Sequence, residues 1–259
     1  MKRLTIGLLK CDKFIPEIKN KFGDIDVQFV NLLKLNKLGV SVDLSVFEVT
    51  ESKFPKWDDV MSNRYNGFII SGSRSSVNDD NEWIPVLKDH IKLFEANNIK
   101  TVGVCFGHQA VASALGGTVD TNPKGWQVSD HDYVINPSVL RSYGLGLSQQ
   151  QQDQDNNNQM ISDIICLNKQ IVTKKPQELL CYGGNEMCNN HGMINRTFLT
   201  LQGHPEYTPA LIKEVLLTRK GVIPDDVIAD GIKRAEQSKV NQEWFSNLIV
   251  SWFLQQQKQ

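Results

Sequence analysis

A cysteine stands between two glycines where an apolar segment meets a helical pattern. Residues 101–109 read TVGVCFGHQ, in which Gly103, Cys105 and Gly107 form a G-x-C-x-G pattern after a β-branched strand. The glycines let the backbone crowd around a strained residue, and the helix N-terminus presents free N–H groups and a positive dipole. Both effects favour the thiolate, the attacking form of cysteine. The pattern predicts Cys105 as a nucleophile, and the competing interpretation is an ordinary buried thiol.

A nucleophilic cysteine needs an imidazole base and a group that orients it, and one of the five histidines has both features. His204 lies in the GHPE sequence at 203–206, directly after the apolar segment FLTLQ. Pro205 biases His204 toward an extended conformation, in which residues two apart point to the same side. We therefore expect Glu206 to hold the His204 ring, although a surface histidine at a strand end is the alternative. His108, next to the glycine turn, is expected to point away from Cys105 and to pack or hydrogen bond elsewhere.

Two parts of the chain offer backbone N–H groups that could stabilise an oxyanion. Phe106, the residue after the nucleophile, supplies one. Gly72 and Ser73 follow an apolar strand at the carboxyl edge of the predicted sheet, where ligands of such folds bind, and supply the second. Gln109 is placed where its side chain could face a polar substrate. Arg74 in the same SGSRSSV loop leaves phosphate binding as an alternative, although the glycine spacing and the lysine of a P-loop are missing.

Short segments rich in Val and Ile alternate with helical patterns, which predicts an α/β fold with a mostly parallel central sheet flanked by helices. The predicted strands are 4–9, 42–49, 67–71, 100–104, 178–182, 192–194 and 198–202. The predicted helices are 24–37, 83–96, 107–115, 209–218, 225–237 and 243–254. The aromatic residues of the last helix are expected to pack in a core. His90 on a helix and His131 in a polar turn are expected to be solvated.

The composition excludes several classes of protein. With 259 residues, 40% hydrophobic and 22% charged, wholesale disorder, a fibrous repeat and a disulfide scaffold are disfavoured. A net charge of −1 gives no field that would favour nucleic acid or an anionic membrane. The apolar segment 4–9 is too short for a signal peptide or a membrane span, so we expect a cytoplasmic protein with free thiols. Cys181, Cys188 and His191 lack a fourth ligand, and we expect neither a metal nor a cofactor.

The chain is predicted to divide into a catalytic domain at 1–218 and a helical extension at 219–259. Within the first domain, residues 148–159 read SQQQQDQDNNNQ. Such a polar tract cannot bury apolar surface, so it is expected to be a disordered surface insertion.

GVCFGHQ, GHPE and the ISGS loop, in this order and at these separations, resemble the triad-type class I glutamine amidotransferases. The resemblance runs from the first strand to about Thr218 and implies a flavodoxin-like fold. NEWI after ISGS, PKGWQV at 123–128 and RKGVIPDDVIA from 219 are similar to the stand-alone branch that includes γ-glutamyl peptidases. Carried over residue by residue, the resemblance implies that Cys105 is the nucleophile, His204 the base and Glu206 the acid. It also implies that the amides of Ser73 and Phe106 hold the oxyanion and that Gln109 contacts the glutamine.

One segment departs from the family pattern. Where members commonly carry H-x-D-x-V, residues 168–172 read NKQIV, so Asn168 and Gln170 replace the histidine and the aspartate. This change predicts altered substrate fit, with free glutamine a poor substrate. The resemblance implies hydrolysis of a γ-glutamyl amide or peptide bond through a thioester, with glutamine or a γ-glutamyl peptide as the small-molecule partner. The alternatives are a glutaminase subunit that passes ammonia to a separate synthetase, and a non-enzymatic binding protein on this fold.

Overall fold

The computed structural model describes residues 2–146 and 159–255. The predicted disordered insertion at 148–159 lies outside the described residues, except for Gln159. The strands are β1 (Lys2–Lys10), β2 (Val40–Glu48), β3 (Gly67–Ile70), β4 (Thr101–Val104), β5 (Thr118–Thr121), β6 (Gln127–Ile135), β7 (Met160–Asn168), β8 (Gln170–Lys174), β9 (Leu180–Gly184), β10 (Gly192–Ile194) and β11 (Phe198–Leu201). The helices are α1 (Pro16–Phe22), α2 (Ile25–Lys34), α3 (Trp57–Met61), α4 (Trp83–Ala96), α5 (Phe106–Ala114), α6 (Pro137–Ser142), α7 (Pro209–Leu217), α8 (Asp225–Gln237) and α9 (Gln242–Leu254).

Nine strands form one sheet in the order β2-β1-β3-β4-β11-β10-β9-β6-β7, and β5 pairs with β8 in a small second sheet. The first five strands run parallel, and the remaining four extend the sheet in antiparallel fashion. The expected α/β class, a mostly parallel central sheet flanked by helices, is confirmed.

The register of three neighbouring parallel strands decides where the functional residues meet. Ile70 of β3 pairs with Gly103 of β4, and Gly103 pairs with Thr200 of β11. The loops that follow these strands therefore leave the sheet side by side at its carboxyl edge. The three predicted site segments, which begin at Ser71, Cys105 and Gln202, are these loops.

Side chains of the parallel strands point alternately to the two faces of the sheet and pack in two hydrophobic cores, one on each face. Ile69 packs in the core that contains α2 and α9, whereas Phe68 and Ile70 pack in the core that contains α4 and α5. The last helix is part of the first core, and its aromatic residues are buried as expected: Trp244, Phe245, Trp252 and Phe253. None of the helices in residues 2–146 and 159–255 has the length and apolar character that spanning a bilayer requires.

The expectation of a solvated His131 in a polar turn is wrong. His131 lies in β6, which pairs with β7 along its whole length, from Gln127 opposite Asn168 to Ile135 opposite Met160. The imidazole is largely buried beside Arg234, whose Nη1 lies 3.0 Å from Nε2. Burial, followed by the charge of Arg234, lowers the pKa of His131 to about 4. The polar sequence SDHD was not recognised as a strand because the strand is defined by backbone pairing with β7, which side-chain polarity does not indicate.

Candidate active site

Cys105 lies between β4 and α5 in a conformation that favours glycine, with φ 52° and ψ −104°. It is the N-cap residue of α5, and its side chain is buried at the floor of a cleft. Both flanking glycines are required by close approach of the backbone. A Cβ atom at Gly103 would lie 2.8 Å from the Gly107 carbonyl carbon, and a Cβ atom at Gly107 would lie 2.3 Å from the carbonyl oxygen of Ile70. The G-x-C-x-G pattern thus reflects a turn packed directly on its neighbours.

The structure brings His204 and Glu206 to the same place. His204 follows β11, and its backbone N–H donates to the carbonyl oxygen of Ile165 at 2.6 Å. His204 lies in an extended bridge opposite Ile165, but Pro205 and Glu206 form a turn that is closed by a bond from the Tyr207 N–H to the His204 carbonyl oxygen at 3.3 Å. This turn, rather than the extended chain expected from the sequence, brings Glu206 Oε1 to 2.7 Å from His204 Nδ1. Both side chains are almost fully buried. The other ring nitrogen of His204 is left for Cys105, with which the imidazole shares a hydrogen bond.

The electrostatic environment of His204 favours the imidazolium form. Burial alone would lower the pKa of His204, but the charges of the Cys105 thiolate and the Glu206 carboxylate, together with hydrogen bonds to both, raise it to about 10. The site therefore stabilises a positive charge on the His204 imidazole, between Cys105 and Glu206. An imidazolium beside a cysteine favours the thiolate, which is the attacking form of cysteine.

Tyr207 was not predicted from the sequence, although it follows GHPE directly. Its ring stacks on the His204 imidazole with centroids 4.2 Å apart and planes 19° apart. Burial, reinforced by the charge of Glu206, raises the pKa of Tyr207 well above its usual value, so the phenol stays neutral. Stacking on one face and the carboxylate at Nδ1 leave the imidazole little freedom to rotate.

The loop after β3 lies against the same imidazole. A Cβ atom at Gly72 would lie 2.7 Å from His204 Cε1 and 3.5 Å from Cys105 Cβ, so only glycine fits there. Within the described part of the chain, the backbone N–H groups of Ser73 and Phe106 donate to no protein acceptor. Backbone N–H groups without a protein acceptor are the kind of donor from which an oxyanion hole is built.

Gln109 on α5 lines the cleft, and two hydrogen bonds donated by its side-chain amide nitrogen hold the side chain in place. Gln109 Nε2 donates to the carbonyl oxygen of Gln170 at 2.9 Å and to Gln202 Oε1 at 3.0 Å. Asn168 Nδ2 donates to the same Gln170 carbonyl at 3.1 Å. The segment in which the family's His and Asp are replaced therefore orients Gln109 through its backbone. The carbonyl oxygen of Gln109 remains available to a ligand.

The cleft has a volume of about 440 Å³. Four basic and two acidic side chains line it, namely Lys13, Arg74, Lys169 and Arg219 against Asp12 and Asp79. Arg74 makes a bidentate pair with Asp12, with Nε and Nη2 2.8 and 2.7 Å from the carboxylate oxygens. This pairing leaves Arg74 unsuited to the phosphate-binding alternative. No carboxylate among the described residues pairs with Arg219, which lies at the end of α7.

The sequence of the chain matches the family Glutamine amidotransferase class-I over residues 23–222. The chain belongs to this family. A glutamine amidotransferase-like protein of Schizosaccharomyces pombe is 28% identical, over 96% of this chain and 98% of that protein. Gamma-glutamyl peptidase 4 of Arabidopsis thaliana is 31% identical, over 76% of this chain and 73% of that protein. A glutamine amido transferase from Methylobacillus flagellatus has the same fold, with a TM-score of 0.65 and 16% identity over 98% of this chain and 95% of that chain.

This glutamine amidotransferase chain also contains a second Cys–His pair, which differs from the first. Cys166 Sγ lies 3.4 Å from His191 Nε2, and both residues are fully buried. Burial raises the pKa of the Cys166 thiol far above its usual value and lowers that of His191 to about 3. No carboxylate is among the described bonds of His191. The pair therefore stays neutral, which shows that a cysteine beside a histidine is not sufficient for an ion pair.

The other histidines and cysteines considered in the sequence lie outside the Cys105–His204–Glu206 cluster. His108 is buried and its Nδ1 lies 2.9 Å from Thr200 Oγ1, in agreement with the expectation that it bonds away from the thiol. Within residues 2–146 and 159–255, no three His, Cys, Asp or Glu side chains converge as metal ligands.

Proposed function

We propose that this chain is a stand-alone hydrolase that cleaves a γ-glutamyl amide or peptide bond through a thioester on Cys105. The observation that carries the proposal is the placement of Cys105, in a strained backbone, beside an imidazole that Glu206 holds at 2.7 Å. A strained nucleophile with an oriented base and two free N–H donors is the arrangement used for acyl transfer.

In the first half-reaction, the Cys105 thiolate attacks the γ-carbonyl carbon of the substrate and forms a C–S bond. The electron pair of the carbonyl moves to oxygen, where the N–H groups of Ser73 and Phe106 stabilise the negative charge. When the tetrahedral intermediate collapses, the C–N bond breaks and the His204 imidazolium gives its proton to the leaving amine. The products of this step are a γ-glutamyl thioester, a free amine and a neutral imidazole.

In the second half-reaction, water takes the place of the amine. Neutral His204 accepts a proton from this water as it attacks the thioester carbonyl. Collapse breaks the C–S bond, so that the γ-carboxylic acid leaves and the thiolate–imidazolium pair is restored. The carboxylate of Glu206 stabilises the imidazolium each time it forms and keeps the ring in the tautomer that the reaction needs.

The cleft supports a substrate with an amino-acid or peptide leaving group more than it supports free glutamine. The His204 imidazolium must face the leaving amine, and Tyr207 stacks on that ring. Arg219, which pairs with no carboxylate among the described residues, lines the same cleft as Tyr207 and His204. Ammonia, the leaving group of glutamine, would make no use of this basic surface.

Covalent labelling tests the nucleophile. We expect an electrophilic chloroketone analogue of glutamine to form one adduct at Cys105, located by peptide mass spectrometry. The Cys181→Ser variant is the control because Cys181 is the only described cysteine that is not buried, and it should be labelled like the wild type. A protein that is never labelled at Cys105 would favour the binding-protein alternative.

A substrate panel tests the reaction. We expect the isolated chain to release amines from γ-glutamyl dipeptides and glutathione, and to release ammonia from glutamine much more slowly. Cys105→Ala should abolish turnover, while Cys188→Ser should retain it. Ammonia release from glutamine that begins only after a second protein is added would overturn the stand-alone hydrolase and favour the glutaminase subunit.

A further inference from the structure

The loop that carries Ser73 has only local bonds of its own near that residue, among them Ser71 Oγ, which donates to the Gly72 carbonyl oxygen at 3.0 Å. β3 ends at Ile70, and within the loop Ser75 N donates to Ser73 Oγ at 3.1 Å. The loop packs directly on the catalytic imidazole, because a single added carbon at Gly72 would meet His204 Cε1. A small displacement of the loop would therefore move an oxyanion donor away from the reacting carbonyl. In active sites, misplacement by about 1 Å can lower the rate by about a hundredfold.

Two consecutive residues after β1 hold the loop on both sides of Gly72 and Ser73. On the near side, the backbone N–H of Cys11 donates to Ser71 Oγ at 2.9 Å. On the far side, the Asp12 carboxylate accepts bonds from Arg74 N, Nε and Nη2 at 2.8, 2.8 and 2.7 Å. The Asp12 side chain is only 16% exposed, so water competes little for these bonds. No described bond joins Asp12 to the thiol or the imidazole.

We propose that Asp12 is a positioning residue for the oxyanion loop: by holding the backbone and the guanidinium of Arg74, it fixes the N–H of Ser73. The inference rests on the proposed function, in which Ser73 stabilises the oxyanion. Asp12 acts through Arg74 and takes part in no proton transfer. Because Asp12 also accepts the backbone N–H groups of Arg74 and Lys13, each at 2.8 Å, loss of the carboxylate should matter more than loss of the Arg74 side chain.

The first test separates oxyanion stabilisation from the reactivity of the thiolate. In Asp12→Ala, we expect kcat for γ-glutamylglycine to fall by about ten- to hundredfold with little change in KM. The rate at which iodoacetamide alkylates Cys105 should stay unchanged, since that displacement develops no oxyanion. Arg74→Ala should lose less activity than Asp12→Ala, and Asp12→Asn should lie between wild type and Asp12→Ala. Asp80→Asn, an exposed carboxylate in the same loop, is the control.

Each other kinetic result overturns the inference. An increase in KM with kcat unchanged would mean that Asp12 binds the substrate. A parallel fall in the rate of Cys105 alkylation would mean that Cys105 and His204 are both displaced. An unchanged kcat would mean that the loop needs no support from Asp12.

The second test does not depend on turnover. Amide hydrogen exchange in the peptide that covers residues 71–76 should become faster in Asp12→Ala, with exchange in α5 unchanged. If the wild type hydrolyses no γ-glutamyl compound but exchange in 71–76 still rises, the proposed function fails and the support of the loop by Asp12 stands. If exchange in 71–76 does not change, the inference itself is wrong.

Discussion

Cys105 adopts φ 52° and ψ −104°, which glycine would adopt at lower cost. A residue held in such a region typically costs about 1–3 kcal/mol and persists because its surroundings fix it. Here the surroundings are Gly103, Gly107 and Ile70, which approach one another too closely to admit a Cβ atom at either glycine. Part of the folding free energy therefore serves to direct one sulfur atom into the cleft.

Replacement of Cys105 should separate stability from activity. We expect Cys105→Gly to have a higher free energy of unfolding than Cys105→Ala by about 1 kcal/mol, because glycine relieves the strain that alanine retains. Both variants should be inactive. Urea unfolding followed by circular dichroism measures the difference, and an alanine variant as stable as the glycine variant would show that residue 105 is not strained.

The charge of Glu206 should set the alkaline limit of activity. The proposed reaction uses the His204 imidazolium as proton donor, and its pKa of about 10 predicts that kcat/KM falls as the pH rises through that value. In Glu206→Gln the negative charge is lost, so the alkaline limb of the pH profile, where kcat/KM falls, should move to lower pH by about one pH unit or more. Glu214→Gln, which removes a half-buried carboxylate on α7 that pairs with Lys21, should leave the profile unchanged. An unmoved limb in Glu206→Gln would mean that its charge does not act on His204.

The same pKa couples His204 to the stability of the fold. Its folded value of about 10 lies above the ordinary 6.5, so protonation of His204 stabilises the folded state fully below about pH 6.5. This contribution is lost as the pH rises from there through about 10.

Among the elements, β3, β4 and β11 each deliver one part of the site because they are adjacent, parallel and in register. α5 begins at the nucleophile and packs so closely on β3 that Gly107 meets the backbone of Ile70. β7 enters from the antiparallel half of the sheet, where Ile165 accepts the N–H of His204. The site thus depends on contacts between elements more than on any one loop.

A methyl group at the contact between α5 and β3 should disrupt both fold and function. In Gly107→Ala the new Cβ would lie 2.3 Å from the Ile70 carbonyl oxygen, and backbone cannot move aside as a flexible side chain can. We expect a loss of at least about 2 kcal/mol in the free energy of unfolding, with a large loss of turnover. Gly146→Ala is the control, because no atom of the described residues lies within 4 Å of the new Cβ. Equal stability of the two variants in urea would contradict the close contact.

The elements that carry strong local signals could be predicted from the sequence, and those defined by tertiary pairing could not. The helix at 83–96 was predicted with its observed bounds, and the turn at Cys105 was predicted from its glycines. β6 and β7 were missed because their polar residues, such as Asp130, resemble a turn. The contacts of Tyr207 with His204 and of Asp12 with Arg74 join distant segments or depend on ring orientation, which no spacing in the sequence indicates.

At the scale of the whole molecule, the cleft draws its charge from separate parts of the chain. Lys13 follows β1, Arg74 follows β3, Lys169 lies between β7 and β8, and Arg219 follows α7. Arg74 is neutralised by Asp12 and Lys13 by Glu48 and Glu51, which leaves Lys169 and Arg219 without a carboxylate partner among the described residues. The assembled cleft is therefore attractive to carboxylates although the chain as a whole has a net charge of −1.

Arg219 should distinguish substrates by the charge of the leaving group. We expect Arg219→Gln to raise KM for γ-glutamylglycine by about tenfold. This factor corresponds to the binding free energy that a hydrogen bond to a charged group usually contributes. KM for γ-glutamylmethylamide, which lacks the terminal carboxylate, should not change. Lys220→Gln removes a neighbouring charge outside the cleft and serves as the control. Equal effects on the two substrates would place Arg219 at the glutamyl group rather than at the leaving group.

The conformation of residue 105 has a consequence for the evolution of this chain. A duplicated gene whose product is no longer selected for catalysis can gain stability by a single change of Cys105 to glycine, because the backbone there already suits glycine. A copy still selected for turnover has to keep the costly side chain. Glycine at this position, between an unchanged Gly103 and Gly107, would therefore mark descendants that have exchanged chemistry for binding.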